Sequence, residues 1–355
     1  MSIICIKLTL MIIKISYKLF MKILITGSSG FIGFHLAKLL LEKKHKVHGY
    51  DSMNNYYDVK LKRARLNLLK KYTNFSFTKN TLENEKILKK TFKEFKPKIV
   101  IHLAAQAGVR YSIDKPRVYL NSNINGTFNV IEASHEINVK HLIMASSSSV
   151  YGANKNIPFK EIDKTETQLS IYASTKKANE SMAHSYSNIW KIPITMLRFF
   201  TVYGPWGRPD MALFKFTKGI LNNKKIDIYN SGKMYRDFTY IDDIVNGIYL
   251  LLNKIPNNRQ IGKYKNDSLS HKAPFRILNI GNSRKILLLD FLNEIELRLN
   301  KKSKRKYMPL QKGDVKETLS NINLIKSLTR YSPKVDYRKG IREFIKWYRI
   351  YYKIN

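Results

Sequence analysis

Lys22-Ile-Leu-Ile-Thr-Gly27-Ser-Ser-Gly30-Phe-Ile-Gly33 is the stretch whose reading decides the fold. Lys22 to Thr26 is a short apolar run that stops at a glycine, the pattern of a buried parallel strand. From Phe31 to Lys44 the apolar residues Ile32, Leu36, Leu39 and Leu40 recur at helical spacing. Between strand and helix, the glycines at 27, 30 and 33 allow a tight turn and let backbone approach a pyrophosphate. The helix start then offers free N–H groups and a favourable dipole. Lys46 to Tyr50 reads as a second strand, and Asp51 at its end follows Gly33 by 18 residues. A carboxylate there binds a ribose 2′-hydroxyl and disfavours a 2′-phosphate, so the expected cofactor is NAD, not NADP. A glycine triplet alone is weak evidence. It gains weight from the strand, helix and acid that surround it.

Outward from this unit the alternation continues. Helices are expected at Leu61–Lys71, Leu82–Phe95, Pro116–Ile137 and Tyr172–Trp190, the first of them basic on one side. Strands are expected at Phe75–Thr78, Lys98–Leu103, His141–Ala145 and Ile194–Phe199. The class is α/β, a doubly wound parallel sheet with a smaller C-terminal substrate-binding lobe. The expected division gives residues 21–200 to the NAD-binding domain, with 237–254 returning to it. Residues 201–236 and 255–355 form the substrate lobe.

The chain has 355 residues, so its core can be large and needs no disulfide or metal staple. With one cysteine, Cys5, disulfide scaffolds and Cys-cluster zinc sites are excluded, and no metal is expected. The net charge is +38, carried by 48 Lys and only 16 Arg. Proteins that grip phosphates favour the bidentate Arg fork. Here the Lys are spread along the whole chain and accompany a surplus of Asn and Ile, which share A/T-rich codons. The charge is therefore read as compositional drift, and nucleic acid is not an expected partner. Residues 1–20 are apolar but broken by Lys7, Lys14 and Lys18, too interrupted for a spanning helix of roughly 20 residues. They read as a dispensable extension ahead of Met21. The location expected is cytoplasmic, and a peripheral membrane anchor in residues 1–20 is the alternative.

Ser147, Tyr172 and Lys176 form the expected catalytic set. Tyr172 and Lys176 stand four apart on a helix and face one side. An ordinary Tyr pKa near 10 is about three units too high for a base at neutral pH. A neighbouring ammonium favours the phenolate. Ser147 follows a strand at the carboxyl edge, where such sheets bind ligands.

These residues sit in longer motifs: His102-Leu-Ala-Ala-Gln-Ala-Gly-Val-Arg-Tyr-Ser112, Ala145-Ser-Ser-Ser-Ser-Val-Tyr-Gly152, Phe199-Phe-Thr-Val-Tyr-Gly-Pro-Trp-Gly-Arg-Pro-Asp-Met211 and Gly232-Lys-Met-Tyr-Arg-Asp-Phe-Thr-Tyr-Ile-Asp-Asp243. Together they resemble the extended short-chain dehydrogenase/reductase family, in particular its nucleotide-sugar epimerases and, among these, the UDP-glucuronate 4-epimerases. The resemblance runs from about Met21 to the C-terminus. It implies an isomerase that converts UDP-glucuronate to UDP-galacturonate with NAD, through a transient 4-keto sugar and with no net redox. Tyr172 would exchange the C4 hydroxyl proton, and Lys176 would also bind the nicotinamide ribose. Gly27, Gly30, Phe31, Ile32, Gly33, Asp51, Thr81, Leu82, Leu103, Ala104 and Ala105 would line the cofactor, with His102 bordering it. Arg236 would clamp the diphosphate, and its competing reading is a surface ion pair with Asp237. Arg110 is a further substrate-binding candidate.

The choice of sugar rests on a few positions. Related 4,6-dehydratases carry Asp-Glu where this chain has Ser148 and Ser149, and UDP-glucuronate decarboxylases carry Glu at the Ser149 position. UDP-galactose 4-epimerases usually have Asn where this chain has Thr201. Thr201 and Arg208 resemble the carboxylate-binding pair of the uronate epimerases. With Ser148 and Ser149 they would hold the carboxylate out of the alignment that lets a β-keto acid lose carbon dioxide. A UDP-glucose/UDP-galactose 4-epimerase and a UDP-glucuronate decarboxylase remain alternatives, as does, from another class, a non-catalytic basic binding protein. One departure stands out. Where relatives usually have an Asp that accepts from the adenine amino group, this chain has Thr81, which implies weaker cofactor retention. Relatives pair two long helices into a homodimer, which here would use the helices containing Asn123 and Tyr172.

Overall fold

In the computed structural model, which describes residues 20–354, β1 (Lys22–Thr26) is covered on both faces. Ile23 and Ile25 enter one apolar core and Leu24 the other, which is why the run is apolar throughout instead of alternating. The chain continues through α1 (Phe31–Glu42), β2 (Lys46–Asp51), α2 (Val59–Leu69), β3 (Phe75–Lys79), α3 (Glu85–Phe95) and β4 (Ile99–His102). Short helices at Val109–Asp114 and Pro116–Tyr119 and a π-helical stretch at Leu120–Asn125 lead into α4 (Gly126–Glu136). Then come β5 (His141–Ser147), the tight turn Ser148–Tyr151, α5 (Ile171–Trp190) and β6 (Ile194–Phe199). The remainder comprises β7 (Thr201–Tyr203), α6 (Ala212–Leu221), β8 (Lys225–Tyr229), β9 (Tyr235–Tyr240), α7 (Ile241–Leu251), β10 (Phe275–Ile280), β11 (Lys285–Leu287), α8 (Leu288–Leu299), β12 (Lys304–Met308), α9 (Asn323–Thr329) and α10 (Tyr337–Tyr352).

Seven strands form one parallel sheet in the order β10-β6-β5-β4-β1-β2-β3. This is the doubly wound class expected from the β-α alternation. On one face α1 packs beside α7; on the other α3, α4 and α5 pack in series. The order reverses between β1 and β4, which opens a crevice beyond their carboxyl ends. Two small sheets stand over that crevice: β9 between parallel β7 and antiparallel β11, and β8 beside β12.

Three features depart from the sequence reading. The seventh strand, β10, comes from a segment assigned to the substrate lobe. Its Arg276 and Asn279 disguise it, yet both are fully buried. Asp267 and Gln260 satisfy Arg276, and Tyr151 and Glu161 bond Asn279. The helix expected over Pro116–Ile137 widens into a π-turn in its middle. Asn123 is drawn to the loop after β4, accepting from the Gln106 N–H at 2.8 Å and donating to the Gln106 carbonyl at 3.0 Å. Such π-bulges gather at functional sites. The basic residues of α2 divide: Lys60 and Arg63 are exposed, whereas Lys62 and Arg65 are buried. Residues 1–19, and with them the reading of the extension, lie outside the described residues. Among the described residues no helix is long and apolar enough to cross a membrane.

Candidate active site

Gly27 takes φ +75°, a region that disfavours side chains, and an added Cβ would stand 2.8 Å from the Ala104 backbone nitrogen. The turn thus presses against the loop after β4. Gly30 caps α1 without any side-chain hydrogen bond, so the first helical N–H groups face the crevice unclaimed. Arg65 braces the turn from behind, donating to the Ser29 carbonyl at 2.9 Å. Asp51 is buried and accepts from the Ser29 N–H at 3.0 Å and the Met53 N–H at 2.8 Å. An uncapped helix start behind a glycine cradle, with a carboxylate at the end of β2, fits a dinucleotide pyrophosphate and its ribose.

The crevice is a single cleft of about 1270 Å³. Its lining includes Gly27, Gly30, Phe31, Ile32, Gly33, Asp51, Thr81, Leu82, Leu103, Ala104 and Ala105. Ser147, Tyr172 and Lys176 line the same cleft, as do Ser148, Ser149, Thr201, Arg208, Arg110 and Arg236. His102 is the exception and does not line the cleft. Its ring turns inward between the Thr26 hydroxyl at 2.7 Å and the Thr127 hydroxyl at 3.0 Å, and burial lowers its pKa to about 3. It is a neutral core residue that joins β4 to β1 and α4.

Ser170 caps α5 by accepting from the Ala173 N–H at 3.2 Å, which fixes where the helix starts and so where Tyr172 points. Burial raises the Tyr172 phenol pKa, with the Ser147 hydroxyl and the Arg208 charge opposing. Burial lowers Lys176 to about 8, opposed by Glu180. The Lys176 ammonium donates to the Ala145 carbonyl at 2.8 Å. Ser147 Oγ accepts from the Ser149 N–H at 3.2 Å and lies 3.2 Å from Ser149 Oγ.

The charged groups near the small sheets have partners that sequence reasoning missed. Asp210 holds Arg208 through Nε at 3.0 Å and Nη2 at 2.5 Å, and Tyr56 donates to the same carboxylate at 3.1 Å. Among the described residues Arg208 Nη1 has no hydrogen bond, which leaves it for a ligand. Arg236 pairs with Asp314 at 2.8 Å and donates to the Tyr235, Val315 and Lys316 carbonyls. It does not pair with Asp237, because adjacent residues of a strand face opposite ways. Asp237 is buried on the far side, accepting from the N–H groups of Asn282, Ser283 and Ser320. Arg110 reaches the Tyr229 hydroxyl at 3.0 Å. Asp210 was within reach of sequence reasoning, two residues after Arg208. Asp314 gave no local signal.

A fold and cleft of this kind define a dinucleotide-binding protein of the doubly wound α/β class. The model of the NAD-dependent epimerase/dehydratase family matches residues 23–265, and the chain belongs to that family. It is 51% identical over 335 residues to protein CapI of Staphylococcus aureus, covering 94% of this chain and all of that one. A protein of Rhizobium meliloti named as a probable UDP-glucuronate 4-epimerase is 45% identical, with 92% of this chain and 97% of that one covered. Among solved structures, UDP-glucuronic acid 4-epimerase of Bacillus cereus, in complex with UDP-glucuronic acid and NAD, superposes with a TM-score of 0.84. It is 32% identical and covers 94% of this chain and 100% of that one.

Proposed function

We propose that this chain is an NAD-dependent isomerase, a UDP-glucuronate 4-epimerase that interconverts UDP-glucuronate and UDP-galacturonate. The observation that carries this reading is one cleft in which Ser147, Tyr172 and Lys176 face Ser148, Ser149, Thr201 and Arg208, with no acidic residue at positions 148 and 149. The likeness to the Rhizobium and Bacillus proteins supports the same substrate class.

NAD, when bound, supplies the hydride acceptor and then the donor at C4, together with a positive charge that favours the phenolate. Gly27, Gly30 and Gly33 with the α1 start would hold its pyrophosphate, and Asp51 its ribose. Tyr172 takes the proton of the C4 hydroxyl as the sugar is oxidised and returns it when the sugar is reduced on the other face. Lys176 stabilises the phenolate, and Ser147 hydrogen-bonds the C4 oxygen. Arg208, held flat by Asp210, offers Nη1 to the C5 carboxylate, with Thr201, Ser148 and Ser149 beside it. Holding that carboxylate suppresses decarboxylation of the β-keto acid. Arg236 and Arg110 serve the diphosphate end.

The protein should form a homodimer through the apolar residues exposed along Pro116–Glu136 and α5. These include Leu120, Phe128, Ile189 and Trp190. Sedimentation should give twice the chain mass, and a monomer at micromolar concentration would remove this part. The reaction is tested by incubating the protein with UDP-glucuronate, UDP-glucose and UDP-galactose and separating the products. UDP-galacturonate from UDP-glucuronate, without UDP-pentose, is expected. A UDP-pentose as main product, or turnover only of the neutral hexoses, would refute the assignment.

A further inference from the structure

Glu180 lies one turn beyond Lys176 on α5, and Lys176 one turn beyond Tyr172, so the three share a helix face. Its carboxylate is 2% exposed. One oxygen accepts from the Ser146 hydroxyl at 2.6 Å and from Arg198 Nε at 2.9 Å; the other accepts from Arg198 Nη2 at 2.9 Å. Arg198 stands on β6 in register with Ser146 and is 1% exposed. Its third side donates to the Glu161 carbonyl at 3.2 Å. Its guanidinium lies 4.7 Å over the ring of Tyr151, which closes the turn carrying Ser148 and Ser149. Lys176 meanwhile is tied to the Ala145 carbonyl, one residue before Ser146.

The pair thus joins three parts of the site: the helix of Tyr172 and Lys176, the strand end of Ser147, and the turn of Ser148 and Ser149. Stability alone does not account for it. Apolar residues of similar volume often serve a core as well as a buried ion pair or better. We propose that Glu180, a residue outside the cleft, is a positioning residue for the reaction. Clamped by Arg198, it sets the spacing of Tyr172 from Ser147 and supplies the negative charge that the buried Lys176 ammonium faces.

The surroundings of Lys176 support the electrostatic part. From β4 it faces His102, kept neutral by burial, and from its own helix Glu180; Arg198 on β6 stands behind Glu180, and Lys177 lies 3.9 Å from the same carboxylate. Glu180 is the carboxylate that opposes the burial of Lys176. Replacing it by Gln leaves Arg198 and Lys177 charged, so an anion is lost and its two cation partners remain nearby.

The proposal rests on the epimerase reading. Its test measures kcat and KM of the NAD-loaded protein with UDP-glucuronate from pH 6 to 10, for wild type, Glu180→Gln and Glu180→Asp. For Glu180→Gln, kcat should fall about tenfold or more while KM changes less than about threefold. The alkaline limb of kcat should move toward acid by about half a pH unit or more. Glu180→Asp keeps the charge but shortens the reach, so kcat should fall while the limb stays in place. If Glu180→Gln does not fold, the double variant Glu180→Gln/Arg198→Met removes both charges and should show the same fall in kcat. Wild-type kcat and an unmoved limb in Glu180→Gln, or wild-type kcat in the folded double variant, would overturn the proposal. A wild type that does not epimerise UDP-glucuronate would defeat the assignment itself and the proposal with it.

Discussion

An alanine at Gly33 would place its Cβ 2.1 Å from the Gly27 carbonyl oxygen, 2.8 Å from the carbonyl carbon and 3.0 Å from Ser28 Cα. Non-bonded carbons attract at about 3.5–4.0 Å, so the overlap exceeds an ångström. All three atoms are backbone, and no side chain can swing aside. The helix α1 must lift from the turn, which widens the cradle. Overpacking costs about 1–3 kcal/mol where the surroundings can give, and this site belongs at or above the upper end. Gly262→Ala makes the control. Unlike Gly33 it has positive φ, at +78°, but nothing lies within 4 Å of its added Cβ, so it carries only backbone strain of about 1 kcal/mol. For 355 residues, an unfolding entropy of about 2.1 cal/mol/K per residue converts 1 kcal/mol into roughly 1.3 °C. Gly33→Ala should therefore lower Tm by about 4 °C or more, and Gly262→Ala by about 1 °C. If even half of the Gly33 strain appears in the cofactor site, NAD affinity falls about tenfold. The assay releases NAD by denaturation from the purified proteins and quantifies it beside a melting curve. Wild-type NAD content in Gly33→Ala, with Tm within a degree of wild type, would refute the reasoning about this turn.

Three other outcomes are expected. Thr81→Asp places a charged acceptor on the cleft wall where the proposed NAD site would hold the adenine; Thr81 is exposed there and its carbonyl accepts from Tyr50 at 2.9 Å. Retained NAD after gel filtration should rise several-fold, for about 1 kcal/mol, and no change would remove Thr81 from the site. Glu161 is buried and its pKa is raised by burial to about 7 from 4.5, so the folded state favours the neutral acid. Its stabilising contribution is present below about pH 4.5 and lost as pH rises through 7. Glu161→Gln can still accept from the Asn279 N–H and should stabilise the fold at pH 8 by up to about 3 kcal/mol while doing nothing at pH 4. Equal denaturant midpoints at pH 8 would contradict this. Arg236→Ala should raise KM for UDP-glucuronate on the order of tenfold to a hundredfold with a smaller effect on kcat, and an unchanged KM would show that Arg236 does not hold the diphosphate.

Much of the NAD half was legible because its signals are local. A strand buried on both faces must be an unbroken apolar run, and the turn that follows β1 leaves no room for side chains at 27 and 33. β1, β6, the start of α1 and Asp51 at the end of β2 were readable for this reason. Where a residue's role depends on what crosses it in space, the reading failed. His102 sits in a motif beside the cofactor loop, yet its ring points into the core because Thr26 and Thr127 meet it there. The helix α2 read only as basic on one side; that Lys62 and Arg65 are covered by the loops at 54–57 and 206–207 gave no local signal.

By itself the sequence determined the parallel-sheet class, the dinucleotide turn and the helix spacing of Tyr172 and Lys176. Each follows from covalent neighbours and a repeat of about two or 3.6 residues. Only the tertiary structure decided that β10 completes the sheet beside β6, that Arg236 turns to Asp314 and away from Asp237, and that Glu180 meets Arg198 behind the catalytic strand. Those choices join residues 18, 78 and 81 positions apart. Their partners are selected by strand register and by the need to pair buried charge, which no local pattern encodes.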